Sequence, residues 1–165
     1  MHNRMKTIDM AVAPKQPFED NDTGLVVMLD GEIFNYEDVR RQLENYYSFT
    51  TRGMCEVITK AYDRWGDGCF DRFEGYFSIV IYNRWSEELL LCRDRFGIKP
   101  LYYVTQRGLT YFSHPKSKLC LPVDSSLLSA ERWASYLAYS TYGSPYETFL
   151  GRCASAPCRN FFVAL

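Results

Sequence analysis

The sequence is organised around RDRFGIKPLYY at Arg93–Tyr103, together with DGEIFNY at Asp30–Tyr36. Each stretch places a glycine, Gly97 or Gly31, beside β-forming and aromatic residues, which indicates a bend or a close backbone approach. In the first stretch, charged residues of alternating sign surround the glycine: Arg93, Asp94, Arg95 and Lys99. Spacing alone leaves two interpretations open, a salt-bridged loop between two strands and a turn that belongs to a binding site.

The turn at Asp94 is interpreted as a structural clasp. An unpaired buried carboxylate costs several kcal/mol, so Asp94 is expected to hydrogen-bond within its own turn or to a neighbouring arginine. Pro100 restricts Lys99 to an extended conformation and directs the chain into a strand. In the alternative interpretation, Asp94 projects into a pocket beside Asp30 and Glu32, and the turn belongs to the site.

The composition is that of one globular domain. The chain has 165 residues, of which 47% are hydrophobic, with 13 Tyr and 11 Phe, enough to bury a core. A net charge of −1 gives no electrostatic attraction to nucleic acid or to an anionic membrane surface. No apolar run is long enough to span a bilayer, and no secretory signal follows the basic N-terminus, so a cytoplasmic location is expected.

The six cysteines form no metal-binding pattern. They occur at positions 55, 69, 92, 120, 153 and 158. No two of them form a CxxC pair, and their spacing relative to the two histidines is not that of a metal site. We therefore expect no metal site and mostly buried, reduced thiols. A thiol enzyme built on Cys55 or Cys92 is a further alternative, although both lie in segments with the pattern of buried elements.

Hydrophobic periodicity predicts an α+β fold built from antiparallel hairpins and central helices. A buried strand at Leu25–Leu29 is expected to break at Asp30–Gly31, and Asn35 is expected to cap a helix whose inner side carries Val39, Leu43 and Tyr46. The later elements are a helix at Met54–Trp65, strands at Phe77–Tyr82 and Glu88–Arg93, a hairpin at Leu101–Val104 and Leu109–Phe112, a helix after Ser129 and a strand in the C-terminal FFVAL.

Four segments occur in the order LVVMLDGEIFNYEDVRRQLE, CEVITKAYDRWG, YFSIVIYNR and RDRFGIKPLYY. Together they resemble the glutaminase half of glutamine-dependent asparagine synthetases, a class II glutamine amidotransferase domain. The resemblance extends from about His2 to about Phe162. It implies an αββα sandwich of the N-terminal-nucleophile hydrolase type that releases ammonia from glutamine for an ATP-dependent amide synthesis.

The resemblance also implies where glutamine would bind. Arg4 matches the arginine that holds the α-carboxylate of glutamine in the family, a task suited to a bidentate guanidinium. The backbone of the next four residues would line the same ligand: Met5, Lys6, Thr7 and Ile8. Asp30, Gly31 and Glu32 match an Asn-Gly-Glu sequence whose Asn amide and Gly N–H form the oxyanion hole and whose Glu contacts the substrate.

Two of these matched positions depart from the family pattern. Asp30 replaces the Asn, and an ionised carboxylate cannot donate a hydrogen bond to a developing oxyanion and would repel it. Met54 replaces the Asp that pairs with the ammonium of glutamine, and a thioether cannot provide that contact. The family nucleophile is an N-terminal Cys, whereas the first cysteine here is Cys55, so no catalytic residue is assigned.

These departures predict a glutaminase-type domain that is inactive as the chain stands, either a fragment or a stand-alone remnant. We expect residues 1–165 to be a single partial domain lacking the opening strands, with Leu25–Leu29 exposed as a result. The synthetase half, which would hold ATP and magnesium, is not in this sequence, and no cofactor is expected here. The alternative is a non-catalytic binding or scaffold domain that retains the fold and a glutamine-like pocket.

Overall fold

The computed structural model describes residues 16–106, 109–113, 130–139, 154–155 and 161–164. No helix in those ranges is long and apolar enough to cross a bilayer. The elements are β1 (Phe18–Asp20), β2 (Leu25–Ile33), α1 (Tyr36–Leu43), α2 (Met54–Trp65), a 3-10 helix (Gly66–Arg72), β3 (Gly75–Asn83), β4 (Glu88–Arg93), β5 (Tyr102–Gln106), β6 (Leu109–Ser113), α3 (Ala130–Tyr139), β7 (Ala154–Ser155) and β8 (Phe161–Ala164).

The strands form two antiparallel sheets, which confirms the expected α+β class. The larger sheet has the order β1-β2-β3-β4-β8, and the smaller has the order β6-β5-β7. One face of the larger sheet packs on α1, α2 and the 3-10 helix around the main hydrophobic cluster. The other face contributes Val80, Leu89 and Leu91 to a second cluster, against which Tyr103 and Phe112 of the smaller sheet pack. The larger sheet is therefore covered by helices on one side and by the second sheet on the other.

The expected exposure of Leu25–Leu29 is wrong. These residues belong to β2, which pairs with β1 through Leu25–Val27 and with β3 along its whole length. Leu25, Val27 and Leu29 are buried in the main cluster, and Val26 on the opposite face is buried as well. The predicted break is also absent, because the pairing with β3 continues through Asp30–Gly31 to Ile33.

The helices begin and end close to the predicted positions. The predicted Met54–Trp65 helix is α2, and Gly66 follows it at φ 55°. Asn35 precedes α1 but makes no side-chain capping bond; its amide instead bridges Arg72 O and the backbone N–H of Glu74. Tyr46 is 62% exposed rather than on the inner side, because α1 ends at Leu43 and the Tyr46 ring packs beneath the Arg64 guanidinium.

Two buried acids tie α2 to the segments around it. Lys60 of α2 donates to Asp20 of β1 at 2.6 Å, and both side chains are 8% exposed. Glu56 accepts hydrogen bonds from the backbone amides and hydroxyls of Thr50 and Thr51. Burial on its own would raise the pKa of each carboxyl, but these donors hold both pKa values below the ordinary range. Both carboxylates are therefore ionised anchors in the folded state.

Candidate functional site

The three residues matched to Asn-Gly-Glu lie together near the end of β2. Alternation along the strand places Asp30 and Glu32 on the side of Met28, which packs against the second cluster. Asp30 lies opposite Ser78 of β3, and Glu32 lies opposite Tyr76. The two carboxylates therefore face the layer between the two sheets rather than the helices.

Gly31 is required by a close approach of two strands. Its φ is +121°, and a Cβ built there would lie 2.1 Å from the carbonyl oxygen of Tyr76. No side chain could be accommodated without displacing the backbone of β3. The interpretation of Gly31 as a point of close backbone contact is confirmed, and this contact holds Asp30 and Glu32 at fixed positions on either side of it.

The turn after β4 is a clasp around Asp94. This carboxylate is 1% exposed and accepts hydrogen bonds from four backbone amides, at distances of 2.9 to 3.3 Å: those of Phe77, Phe96, Ile98 and Lys99. Gly97 allows the turn to close, with φ 64° and a bond from its N–H to Asp94 O. The clasp interpretation of Asp94 is confirmed, because its oxygens bind the turn and β3 instead of projecting into a pocket.

The same turn nevertheless reaches the site through Lys99. Its Nζ lies 3.3 Å from Asp30 Oδ1, and the side chains of Lys99 and Asp30 are 18% and 34% exposed. The ammonium also lies 5.7 Å from the centre of the Tyr76 ring. The alternative interpretation, in which Asp94 projects into a pocket beside Asp30 and Glu32, is therefore wrong, although the Lys99 side chain of the same turn does lie beside Asp30.

Glu32 accepts a hydrogen bond from the hydroxyl of Tyr76. Glu32 is buried, and its hydrogen bond with the Tyr76 hydroxyl, together with some desolvation, raises the pKa of Tyr76 above its ordinary value. The rings of Phe34 and Tyr76 form a T-shaped contact with their centroids 5.5 Å apart. Each acid at the end of β2 thus has a donor of its own, Lys99 for Asp30 and Tyr76 for Glu32.

Met54 lies on a different element, at the start of α2. It is partly buried and packs against the main hydrophobic cluster, so its environment is that of an apolar residue opening a helix. The bonds from Thr50 and Thr51 to Glu56 fix the loop immediately before it. The residues matched to the α-carboxylate and backbone part of the pocket lie outside the described residues: Arg4, Met5, Lys6, Thr7 and Ile8.

The thiols do not form a nucleophilic site in the described residues. Cys55, Cys69 and Cys92 are buried and form no disulfide bonds, and burial raises the pKa of the Cys69 thiol far above its ordinary value. Cys55 and Cys92 are 2% and 1% exposed. A buried thiol is not accessible to a substrate, so the structure argues against a thiol enzyme built on Cys55 or Cys92.

A cavity of about 570 Å³ lies on the helix side of β3 and β4, near the Asp94 turn. Its described lining residues are Phe70, Asp71, Phe73, Glu74, Gly75, Phe77, Cys92, Arg93, Arg95 and Phe96. None of these is a residue that the sequence assigned to glutamine binding. The candidate site is therefore the polar group at the ends of β2 and β3, on the opposite face of the sheet.

The polar group at these strand ends consists of Asp30, Glu32, Tyr76 and Lys99, which we call the strand-end cluster. Lys99 and Tyr76 were not identified as site residues from the sequence. The sequence did indicate that Lys99 lies in the charged turn RDRFGIKPLYY. It did not indicate that the Lys99 side chain contacts Asp30, because the two residues are 69 positions apart in sequence. Chemically, the cluster offers an ammonium beside two carboxylates, in a partly covered position where hydrogen bonds to a polar ligand are stronger than in water.

Comparison with known proteins places these features in a family. The family model described as a glutamine amidotransferase domain matches residues 1–158. Asparagine synthetase [glutamine-hydrolyzing] 2 of Bacillus subtilis is 40% identical over 120 residues, which cover 72% of this chain and 16% of that protein. Amidase chry2 of Gibberella zeae is 32% identical over 74% of this chain and 18% of its own length.

The chain thus spans about a fifth or less of the length of these relatives. A solved structure, glutamine phosphoribosylpyrophosphate amidotransferase from B. subtilis, aligns with a TM-score of 0.49 and 24% identity, over 59% of this chain and 23% of that one. The match of the family model to nearly the whole chain decides the assignment: this chain belongs to the glutamine amidotransferase family.

Proposed function

We propose that this chain is the glutamine-binding, ammonia-supplying domain of an asparagine-synthetase-type amidotransferase, and that its own hydrolysis of glutamine is slow or absent. The observation that carries the proposal is the carboxylate of Asp30, paired with Lys99 on the strand where the family resemblance implies an oxyanion-hole amide. Family membership and the synthetase relatives support the ammonia-supplying role.

Asp30 would weaken the chemical step. An oxyanion hole works by directing donors at the oxygen that becomes negative, and removal of one such donor costs on the order of 10²–10³ in rate. Asp30 removes the donor and adds a negative charge, which Lys99 offsets only in part across 3.3 Å.

Met54 would weaken binding of the substrate. A carboxylate at this position could pair with the ammonium group of glutamine, and a hydrogen bond to a charged group contributes roughly 1.5–3 kcal/mol. The apolar packing of Met54 against the core cluster is consistent with a position that no longer contacts a polar ligand. The proposal therefore assigns the loss of affinity to Met54 and the loss of rate to Asp30.

Titration of L-glutamine into the 165-residue chain tests this assignment. We expect weak binding by the native chain and binding about tenfold or more tighter by a Met54→Asp/Asp30→Asn variant, because the ammonium partner and the neutral amide are restored. Met54→Leu is the matched control and should bind like the native chain. An unchanged affinity in the double variant would contradict the proposal.

A non-catalytic binding domain is the second candidate, and the hydrogen-bonded, rigid surroundings of Gly31 and Asp94 favour retention of a formed pocket. This candidate predicts that the native chain already binds L-glutamine tightly and that the double variant gains little. The same titration therefore separates the two candidates.

A further inference from the structure

Lys99 is a mostly buried ammonium with spare hydrogen-bonding capacity. Its side chain is only 18% exposed, and an ammonium has three donors. Within the described part of the chain, one carboxylate oxygen, Asp30 Oδ1, accepts a hydrogen bond from it, at the long distance of 3.3 Å. The Tyr76 ring adds a cation–π contact at 5.7 Å, but that contact uses no donor.

The backbone of Lys99 is held on both sides. Its N–H donates to Asp94 Oδ2 at 2.9 Å, and its carbonyl oxygen accepts from Arg93 Nε at 2.9 Å. Pro100 restricts its conformation further. A long side chain that starts from a fixed backbone loses less entropy when it binds, so the ammonium is positioned in advance for a ligand.

The neighbouring acids do not compete equally for that ammonium. Glu32 accepts the Tyr76 hydroxyl, and Asp30 is the partner of Lys99. The ammonium can keep this bond and still direct its other donors towards the layer between the sheets, where Asp30 is one-third exposed. A charge-assisted bond to an anionic or strongly polar oxygen would satisfy one of these donors.

We infer that Lys99 is a ligand-binding residue whose ammonium holds the side-chain oxygen of an acidic or amide amino acid alongside its bond to Asp30. This inference rests on the proposed function, because the ligand class is that of glutamine and its hydrolysis product glutamate. Lys99 then provides a donor on the strand end where Asp30 provides none. Lys99 consequently contributes more to the binding of a side-chain carboxylate than to the binding of a neutral amide, because its bond to a carboxylate is charged at both ends.

Titration of L-glutamate and L-glutamine into the full 165-residue chain tests the inference. Lys99→Met should weaken binding of L-glutamate about tenfold or more and weaken L-glutamine less, whereas Lys99→Arg should keep most of the affinity. Arg84→Gln is the control, because it removes one positive charge from an exposed pair with Glu19 just beyond the opposite end of β3. It should leave both affinities unchanged.

Equal affinity for L-glutamate in the native chain and in Lys99→Met would overturn the inference, as would a native chain that does not bind L-glutamate. If Lys99→Met does not fold, Asp30→Asn decides: it removes the competing carboxylate and should strengthen L-glutamate binding, and a loss of affinity would overturn the inference. The two proposals can fail separately. If Met54→Asp/Asp30→Asn binds L-glutamine more tightly than the native chain but Lys99→Met leaves the affinity for L-glutamate unchanged, the proposed function stands and only this role of Lys99 is overturned.

Discussion

Replacement of Asp94 by Ala should lower the free energy of unfolding by about 3–5 kcal/mol. The substitution leaves the amides of Phe77, Phe96, Ile98 and Lys99 without the oxygens that accept them, and a buried unsatisfied amide costs about 1–3 kcal/mol. The total lies below the sum of four such costs, because Phe96 and Ile98 are exposed enough for water to reach the opened turn. Urea denaturation followed by fluorescence measures the change.

Two further variants define the origin of that effect. Asp94→Asn retains one carbonyl oxygen and should cost about half as much as Asp94→Ala. Arg95→Ala, on an exposed side chain of the same turn, should change the stability by no more than about 0.5 kcal/mol. A loss below about 1 kcal/mol for Asp94→Ala would show that the clasp does not stabilise the fold.

Replacement of Lys60 by Met should destabilise the chain by about 3–5 kcal/mol at neutral pH. The substitution leaves the Asp20 carboxylate buried without its partner at 2.6 Å, and breaking one side of a buried ion pair has this cost. A Lys60→Met/Asp20→Asn double variant removes the uncompensated charge and should recover much of the loss, so the two changes will not be additive.

The effect of Lys60→Met should also depend on pH. In the native chain, Lys60 and the N–H of Asp22 offset burial and lower the pKa of Asp20, so the stabilisation is complete above about pH 4 and is lost as the pH falls through the lowered value. Without Lys60, we expect burial to raise the pKa of Asp20 instead. Protonation of Asp20 at acid pH then removes the uncompensated buried charge and stabilises the folded variant. The difference between the two chains should therefore shrink at acid pH, whereas Arg84→Gln should stay within about 1 kcal/mol of the native chain throughout.

The local elements followed from the sequence because their signals are local. The spacing of hydrophobic residues predicts the helix α2, and Gly66 predicts where it ends. The turn between β3 and β4 was marked by polar residues between two apolar runs. Gly31 was correctly assigned to a close backbone contact, although its neighbour across the strand, Tyr76, could not be identified from the sequence.

The errors concerned contacts between distant segments. Leu25–Leu29 was expected to be exposed, but β1, only three residues long, pairs with its first half and the helices and second cluster cover its faces. Tyr46 follows the hydrophobic period of α1, yet the helix stops before it. Lys99 reaches Asp30 through a turn whose direction depends on the four amide bonds to Asp94, and spacing in sequence does not reveal such a direction.

The central claim, that Asp30 and Met54 disable a glutamine-hydrolysing site, is tested most directly in an active relative. Asparagine synthetase [glutamine-hydrolyzing] 2 of B. subtilis, 40% identical over the matched region, would carry Asp and Met at the positions aligned with Asp30 and Met54. We expect glutamine-dependent amide formation to fall by at least about 10²–10³-fold, with formation from directly supplied ammonium unchanged. A variant that keeps its glutamine-dependent rate within a few-fold of the native enzyme would contradict the claim.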